Sequence, residues 1–303
     1  MNEHHENPEK IQSGKQLTEH DKVLLKNGAL KIAQEVIQNY PGNLPDVIVL
    51  PDTSARPLRN LFDPIFRSIA RQRGVRPPDF VFFQTPGGAQ KIALRKVNDW
   101  GSIAEAKTAT QETLINLKKG ATLYKWFRDR KTHQENDRQI QEQRKVLQEV
   151  DKVPEILNQQ KLRAKEIVSS CATPDPNIVI IDDTMIRSGR TIKLIRTAFG
   201  DNTENIRGYV LTAHEPLANN VFSAQEIDIN SPDAVHPLDY MRDNPDHEGS
   251  LRDAYGVEKS DVLIDPYVQV IRPRSKQTKI LRREMSQIGK DIAKKLREDG
   301  YSN

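Results

Sequence analysis

The most constraining feature of the chain is residues 177–192, where an apolar run, two acids, a glycine-containing loop and a helical pattern follow one another without interruption. Ile178 to Ile181 are four β-formers in a row, too few for a helix, and they predict a fully buried strand. Asp182 and Asp183 then fall at the carboxyl end of that strand, where open α/β sheets bind their ligands. The pattern predicts a helix over Thr191 to Phe199.

The loop before this helix has the chemistry of a phosphate site. Ser188 and Thr191 supply hydroxyl groups, Gly189 supplies a flexible backbone, and the first turn of a helix presents free N–H groups. Carboxylates beside such a loop bind sugar hydroxyls or Mg²⁺, so the segment predicts a phosphorylated sugar as ligand. The alternative is an ordinary buried strand whose acids cap the following helix.

A second strand, turn and helix stand earlier in the chain. Asp46 to Leu50 predicts a short buried strand, and a polar turn follows it. The next helix is predicted to have Ser54 as its N-cap and Pro57 in its first turn. Arg56 and the N–H groups of the turn predict an anion site, whereas the simpler interpretation is a capped helix with a surface arginine. The apolar face of that helix comprises Leu58, Leu61, Phe62, Ile65, Phe66 and Ile69.

The segment 177–192 resembles the phosphoribosyl-diphosphate (PRPP) signature of type I phosphoribosyltransferases, in which a hydrophobic strand runs into two acids, a Thr-Gly-x-Thr-like loop and a helix. The resemblance implies that Asp182 and Asp183 bind the ribose hydroxyls, take part in catalysis and contact Mg²⁺ indirectly. It also implies a 5-phosphate loop that comprises Arg187, Ser188, Gly189, Arg190 and Thr191.

The spacing inside this segment leaves two registers open. Four residues, Thr184 to Arg187, separate the acids from Ser-Gly, where the family usually has three. Either the loop carries one extra residue, or Asp183 and Thr184 occupy the positions of the acid pair. Arg187 stands where purine-using members often carry an acid, so a purine acceptor is not predicted.

The turn after the first strand is similar to the diphosphate-binding loop that these enzymes place after their first core strand. The resemblance implies that Arg56 is catalytic, as the side chain that holds the leaving diphosphate. It implies hydroxyl donors at Thr53 and Ser54. The implied diphosphate site comprises Asp52, Thr53, Ser54, Ala55 and Arg56.

Strands and helices alternate along the chain, which is typical of a parallel sheet covered by helices. Asp79 to Gln84 predicts another buried strand, Thr85 to Gln90 a mobile loop, and Arg207 to Thr212 a further strand. Together with the resemblance, this pattern predicts an α/β protein with a Rossmann-like parallel sheet of the type I phosphoribosyltransferase kind.

The predicted domains follow from changes in composition. Residues 1–15 are expected to be a disordered tail, and residues 16–270 an α/β domain. A helical insertion at 100–165 interrupts this domain and is interpreted as a solvated face, with a lid or a dimerisation arm as the alternatives. Its predicted helices, rich in Gln, Glu, Lys and Arg, are Thr108–Lys118, Leu123–Val150 and Val153–Ser169.

Residues 271–303 are predicted to form a basic C-terminal helix. The stretch Arg272 to Arg297 carries ten Lys or Arg residues, and one of its faces is apolar. We expect the helix to dock on its own domain, and the alternative is binding to RNA or a membrane surface. The apolar face comprises Leu281, Met285, Ile288, Ile292 and Leu296.

Composition excludes several classes of protein. No apolar run approaches the about 18 residues that a membrane helix needs, and the polar start is unlike a secretory signal. The single cysteine, Cys171, excludes an internal disulfide framework and a multi-cysteine metal site. We therefore expect a cytoplasmic protein that does not bind membranes. The net charge of +4 fits an anionic substrate as well as RNA.

These observations predict an Mg²⁺-dependent enzyme that transfers phosphoribosyl from PRPP to an unidentified acceptor and releases diphosphate, with a homodimer as a further expectation. The alternative is a non-catalytic PRPP or nucleotide sensor that binds RNA. A third hypothesis is hydrolysis of a sugar phosphate at the same acids. The sequence lacks the glycine-rich loops of P-loop and dinucleotide-binding proteins and the nucleophile elbow of α/β-hydrolases.

Overall fold

The computed structural model of this chain describes most of its length. The described residues are 17, 19–51, 57–86, 88–124, 130–185, 190–200, 205–213, 221–225, 257–258, 270–271 and 276–301. The chain divides into two compact units. The first comprises residues 1–85, 164–258 and 270–303, and the second comprises 86–163 and 259–269.

The first unit contains a five-stranded parallel sheet, which confirms the predicted α/β class. Its strands are β1 (Val47–Pro51), β2 (Asp79–Phe83), β3 (Ile178–Met185), β4 (Ile206–Ala213) and β5 (Val221–Ser223). A separate antiparallel pair comprises β6 (Val257–Glu258) and β7 (Val270–Ile271). The described helices are α1 (Glu19–Asn39), α2 (Leu58–Arg73), α3 (Gly88–Trp100), α4 (Ile103–Tyr124), α5 (Arg130–Val150), α6 (Val153–Ser169), α7 (Arg190–Phe199) and α8 (Lys276–Glu298).

Helices cover both faces of the sheet, because the strands alternate apolar side chains to either side. Ile48, Leu50, Val179 and Ile181 lie in one apolar core with α1, α2 and α8. The opposite face packs against α7 and the last part of α6, in a second core. The strands in the middle of the sheet are therefore buried on both sides. The second core includes Val47, Val49, Ile178, Ile180, Ala164, Ile167, Ile192 and Ile195.

The C-terminal helix α8 is part of the first unit. All five positions of its predicted apolar face are buried, and they belong to the same core as the apolar face of α2. Its cationic residues are left on the other faces of the helix. The expectation that this helix docks on its own domain is therefore confirmed.

The described part of the second unit consists of helices. Ala93 of α3, Ala106 of α4, and Val146 and Val150 of α5 form its small core, which Val153 at the start of α6 completes. Small side chains dominate this core, so the helices bury little apolar surface for their length.

Away from the candidate site, the structure differs from several sequence predictions. β2 lies at the edge of the sheet, and of its residues only Phe83 is buried, so the prediction of a buried strand is wrong. The loop expected at Thr85–Gln90 is also wrong in part, because α3 begins at Gly88. In the second unit, α4 is longer than predicted and ends at Tyr124, and α5 begins at Arg130.

Candidate active site

The strand order β2-β1-β3-β4-β5 creates a switch point between β1 and β3. The chain runs from β1 outward to β2 on one side and later adds β3 on the other side of β1. Ligands of open α/β sheets bind outside the carboxyl ends of the strands at such a point. Of the two segments singled out by the sequence, one directly follows β1 and the other lies between β3 and α7. Both therefore attach to the sheet at this edge.

The register between β1 and β3 fixes how their ends align. Val47 pairs with Ile178 and Val49 with Ile180. Pro51 and Asp182 each come two residues later, so the last residue of β1 is level with the first acid of β3. Neighbouring strands lie about 4.8 Å apart. The chain therefore leaves β1 within one strand spacing of Asp182.

β3 is longer than the predicted run and includes the acid pair. Thr184 and Met185 continue the pairing with Thr212 and Ala213 of β4, and this ladder carries the strand past Ile181. The acids thus stand within the strand, with Asp182 level with the end of β1 and Asp183 one residue beyond it. Their backbone is held by the sheet and not by a loop.

Asp182 is 6% exposed. A buried carboxylate is costly unless polar groups surround it, and Asp182 does take part in a polar or electrostatic interaction within the chain. A carboxylate has two oxygens and about four acceptor positions.

α7 begins soon after the acids and packs closely on the sheet. Its Ile192 lies over Gly208 of β4, where an added Cβ would come 2.8 Å from Ile192 Cγ2. Glycine at this position therefore sets how near the helix lies to the strand. Thr191 is partly exposed in the first turn of α7, where the backbone N–H groups have no partner within the helix.

α2 begins directly after the second predicted anion loop. Its N-cap is Pro57, with φ −61° and ψ −26°, and no side chain caps the helix there. The predicted N-cap at Ser54 is therefore wrong, because the helix begins at Leu58, four residues later. Proline fits because its fixed φ suits the start of a helix.

The structure describes the framework of the candidate site and part of its side chains. Asp182 and Thr191 are described in full, and the backbones of Asp183, Thr184 and Arg190 lie in β3 and α7. The remaining predicted site residues lie outside the described residues; these are Asp52, Thr53, Ser54, Ala55, Arg56, Arg187, Ser188 and Gly189.

The opposite, amino edge of the sheet has a different character. A cavity of about 250 Å³ there is lined by Asp46, Cys171 and Asn177, among other residues. Asp46 Oδ2 accepts a hydrogen bond from the backbone N–H of Asn177 at 2.8 Å, which ties the two strand starts together. Burial raises the pKa of the Cys171 thiol, which makes it a poor nucleophile.

A larger cavity, which the sequence did not predict, lies on the α2–α8 side of the sheet and is lined by cationic side chains of both helices. The signal was present in the spacing of Lys279, Arg282, Arg283 and Ser286, which share one face of a helix.

No protein-family model, curated protein or solved structure matches the chain. Among the helices of the described ranges, none is both long and apolar enough to cross a membrane.

Proposed function

We propose that the chain binds PRPP at the carboxyl edge of β1 and β3 and transfers its phosphoribosyl group to an acceptor nucleophile. The observation that carries the proposal is the switch point, where the two anion-binding segments suggested by the sequence attach to adjacent strands. PRPP has a phosphate at one end and a diphosphate at the other. A ligand of this kind needs two anion sites separated by the width of one sugar.

The acids would hold the sugar between the two anion sites. The buried carboxylate of Asp182 is level with the end of β1, and Asp183 follows it in the strand. Carboxylates accept hydrogen bonds from the ribose hydroxyls and orient the ring. Because the strand fixes their backbone, this orientation would cost little ordering on binding.

The 5-phosphate would bind at the start of α7. Its first-turn N–H groups and the Thr191 hydroxyl are donors there, and the preceding loop from Arg187 would complete the set. The diphosphate would bind before α2, where Arg56 stands two residues ahead of the first helical residue. A guanidinium group forms paired hydrogen bonds with phosphate oxygens.

The donor set also suits Mg²⁺, which is usually held by one or two carboxylates together with substrate phosphates. Within the described residues, no three His, Cys, Asp or Glu side chains form a metal site of their own. Asp182 and Asp183 would therefore contact the ion indirectly, through the oxygens of PRPP that they orient. Mg²⁺ would offset the negative charge of the diphosphate.

Catalysis by the protein would consist mainly of electrostatic stabilisation. The C1–O bond to diphosphate breaks, and its electron pair leaves with the diphosphate. A lone pair of the acceptor forms the new bond to C1, and the acceptor proton passes to solvent. Arg56 would stabilise the leaving group, and the two acids would stabilise the positive charge that develops on the ribose.

Release of diphosphate tests the transferase proposal directly. The purified protein is incubated with PRPP and Mg²⁺ and a panel of bases and amines, and diphosphate is measured with a coupled assay. We expect acceptor-dependent release that Asp183→Asn lowers by about 100-fold or more, because orientation of the sugar is lost. The exposed Asp175→Asn is the matched control and should keep the wild-type rate.

Two other results would redirect the proposal. PRPP binding without release for any acceptor would favour the non-catalytic sensor. Acceptor-independent release of phosphate from sugar phosphates would favour the hydrolase.

A further inference from the structure

A cavity of about 610 Å³ lies between α2 and α8 and reaches Phe82 of β2. Four of the side chains that line it are cationic: Arg59 in the first turn of α2, and Lys279, Arg282 and Arg283 in α8. None of the residues that line it belongs to the predicted PRPP site.

The two helices form this cavity because they run in the same direction and approach closely. Leu61 of α2 meets Gly289 of α8, and at the far ends Arg73 Nη2 donates to the Tyr301 carbonyl at 3.5 Å. The early turns of α2 therefore lie beside the middle of α8, and the first turns of α8 extend beyond the start of α2. Lys279, Arg282 and Arg283 are at i, i+3 and i+4, so they share the face that borders the cavity.

Acidic residues of the same helices do not offset this charge. Asp63 of α2 pairs with Arg67 at 2.8 Å, and Glu284 of α8 accepts from the Leu17 N–H at 3.2 Å and contacts Lys22 at 3.5 Å. Within the described part of the chain, Arg59, Lys279 and Arg283 have no ion-pair partner. The cavity consequently carries a positive potential.

We propose that this cavity binds a small molecule with a di- or triphosphate chain, such as a nucleoside polyphosphate. Arginine side chains bind phosphate oxygens in pairs, which suits a chain of linked phosphates. Asn60 and Ser286 supply neutral polar groups, and the partly exposed Phe82 supplies an apolar wall for a base or a sugar.

The volume favours a small molecule over a nucleic acid. Pockets for ligands of this size span roughly 300 to 1,000 Å³, and 610 Å³ falls within that range. Nucleic-acid sites, by contrast, follow the phosphate backbone along an extended basic surface. The cationic groups here converge on one cavity.

The test is calorimetric titration of the full chain with tripolyphosphate, ATP and a short single-stranded RNA. The charge-removing variant is Arg59→Gln with Arg283→Gln. Its matched control is Lys290→Gln with Arg297→Gln, which removes the same charge from exposed positions of α8 that do not line the cavity. Far-UV circular dichroism checks that both variants are folded.

We expect tripolyphosphate and ATP to bind saturably to the wild type. Their affinity should fall about 100-fold in the charge-removing variant of the cavity (the cavity variant) and less than about threefold in the control. Tighter binding of ATP than of tripolyphosphate would identify a nucleotide as the ligand class, and equal binding would identify the phosphate chain alone. Absence of saturable binding, or equal weakening in the two variants, would overturn the proposal. Stronger and steeply salt-dependent binding of the RNA would overturn it in favour of a nucleic-acid surface.

A second arm separates this cavity from the PRPP site. ATP binding should be unchanged in Asp183→Asn, whether or not that variant binds PRPP. If PRPP and ATP compete fully, and the cavity variant loses binding of both ligands, then the cavity belongs to the PRPP site. That result would refute a separate site.

Discussion

Tyr209 shows how one polar atom is accommodated in the core of the sheet. The side chain is 1% exposed, and its ring lies 5.9 Å from that of Phe222. Its hydroxyl accepts a hydrogen bond from Asn39 Nδ2 at 3.3 Å. Burial raises the pKa of Tyr209 to about 12, because the phenolate would lose its hydration.

This pKa predicts a loss of stability at alkaline pH. In the unfolded chain a tyrosine ionises near pH 10, so the stabilisation is complete below pH 10 and is lost as pH rises through about 12. The free energy of unfolding falls by about 2.7 kcal/mol over this range. Tyr209→Phe should be less stable at neutral pH, since Asn39 loses one of its hydrogen bonds, yet should lose less stability between pH 10 and 12.

Urea unfolding of both proteins at several pH values checks this prediction. The difference between their free energies of unfolding should shrink over that interval. A constant difference would mean that Tyr209 does not titrate as its burial requires.

At the scale of elements, the contact between α2 and α8 depends on one glycine. A Cβ added at Gly289 would lie 2.2 Å from the carbonyl oxygen of Leu61. Backbone atoms cannot move aside as a side-chain tip can, so the helices would have to separate.

Gly289→Ala should therefore lower the free energy of unfolding by about 2 to 3 kcal/mol. Gly120→Ala is the control, because this helical glycine has no neighbour within 4 Å of the added Cβ. Alanine is the better helix former, so the control should gain up to about 1 kcal/mol. Thermal and urea unfolding followed by circular dichroism measure both changes, and equal stability of Gly289→Ala and wild type would contradict the close approach.

The elements differ in how far the sequence predicted them. The helical stripes of α2 and α8 were predictable, because a 3.6-residue period specifies which positions are buried. β3 was predicted four residues too short, since Asp182 to Met185 are held by pairing with β4 and not by apolar character. β2 was expected to be buried because an apolar run does not reveal whether its strand lies at an edge.

At the scale of the whole molecule, strand order decides where a site can lie. The candidate loops are more than 100 residues apart in sequence, yet β1 and β3 are neighbours. Their adjacency depends on long-range pairing that local patterns do not contain. The sequence predicted the chemistry of each segment, and the topology supplied the switch point at which both attach.

The cationic cavity escaped prediction for the same reason. Its charges come from two helices about 220 residues apart in the chain, and each helix alone has only an exposed basic face. The parallel packing of α2 and α8 brings these charges together. The cavity lies in the first unit, and its Arg59 stands three residues after Arg56 of the predicted diphosphate site.

The most direct test of the central claim is calorimetric titration of the folded chain with PRPP in the presence of Mg²⁺. We expect saturable binding that Asp183→Asn weakens at least about tenfold, or 1.4 kcal/mol, while Asp175→Asn binds as wild type does. Bound PRPP should also raise the melting temperature of the wild type, because a ligand of the native state stabilises it. If the folded protein shows no saturable binding of PRPP, or binds it equally well with asparagine at position 183, the switch point between β1 and β3 is not a PRPP site.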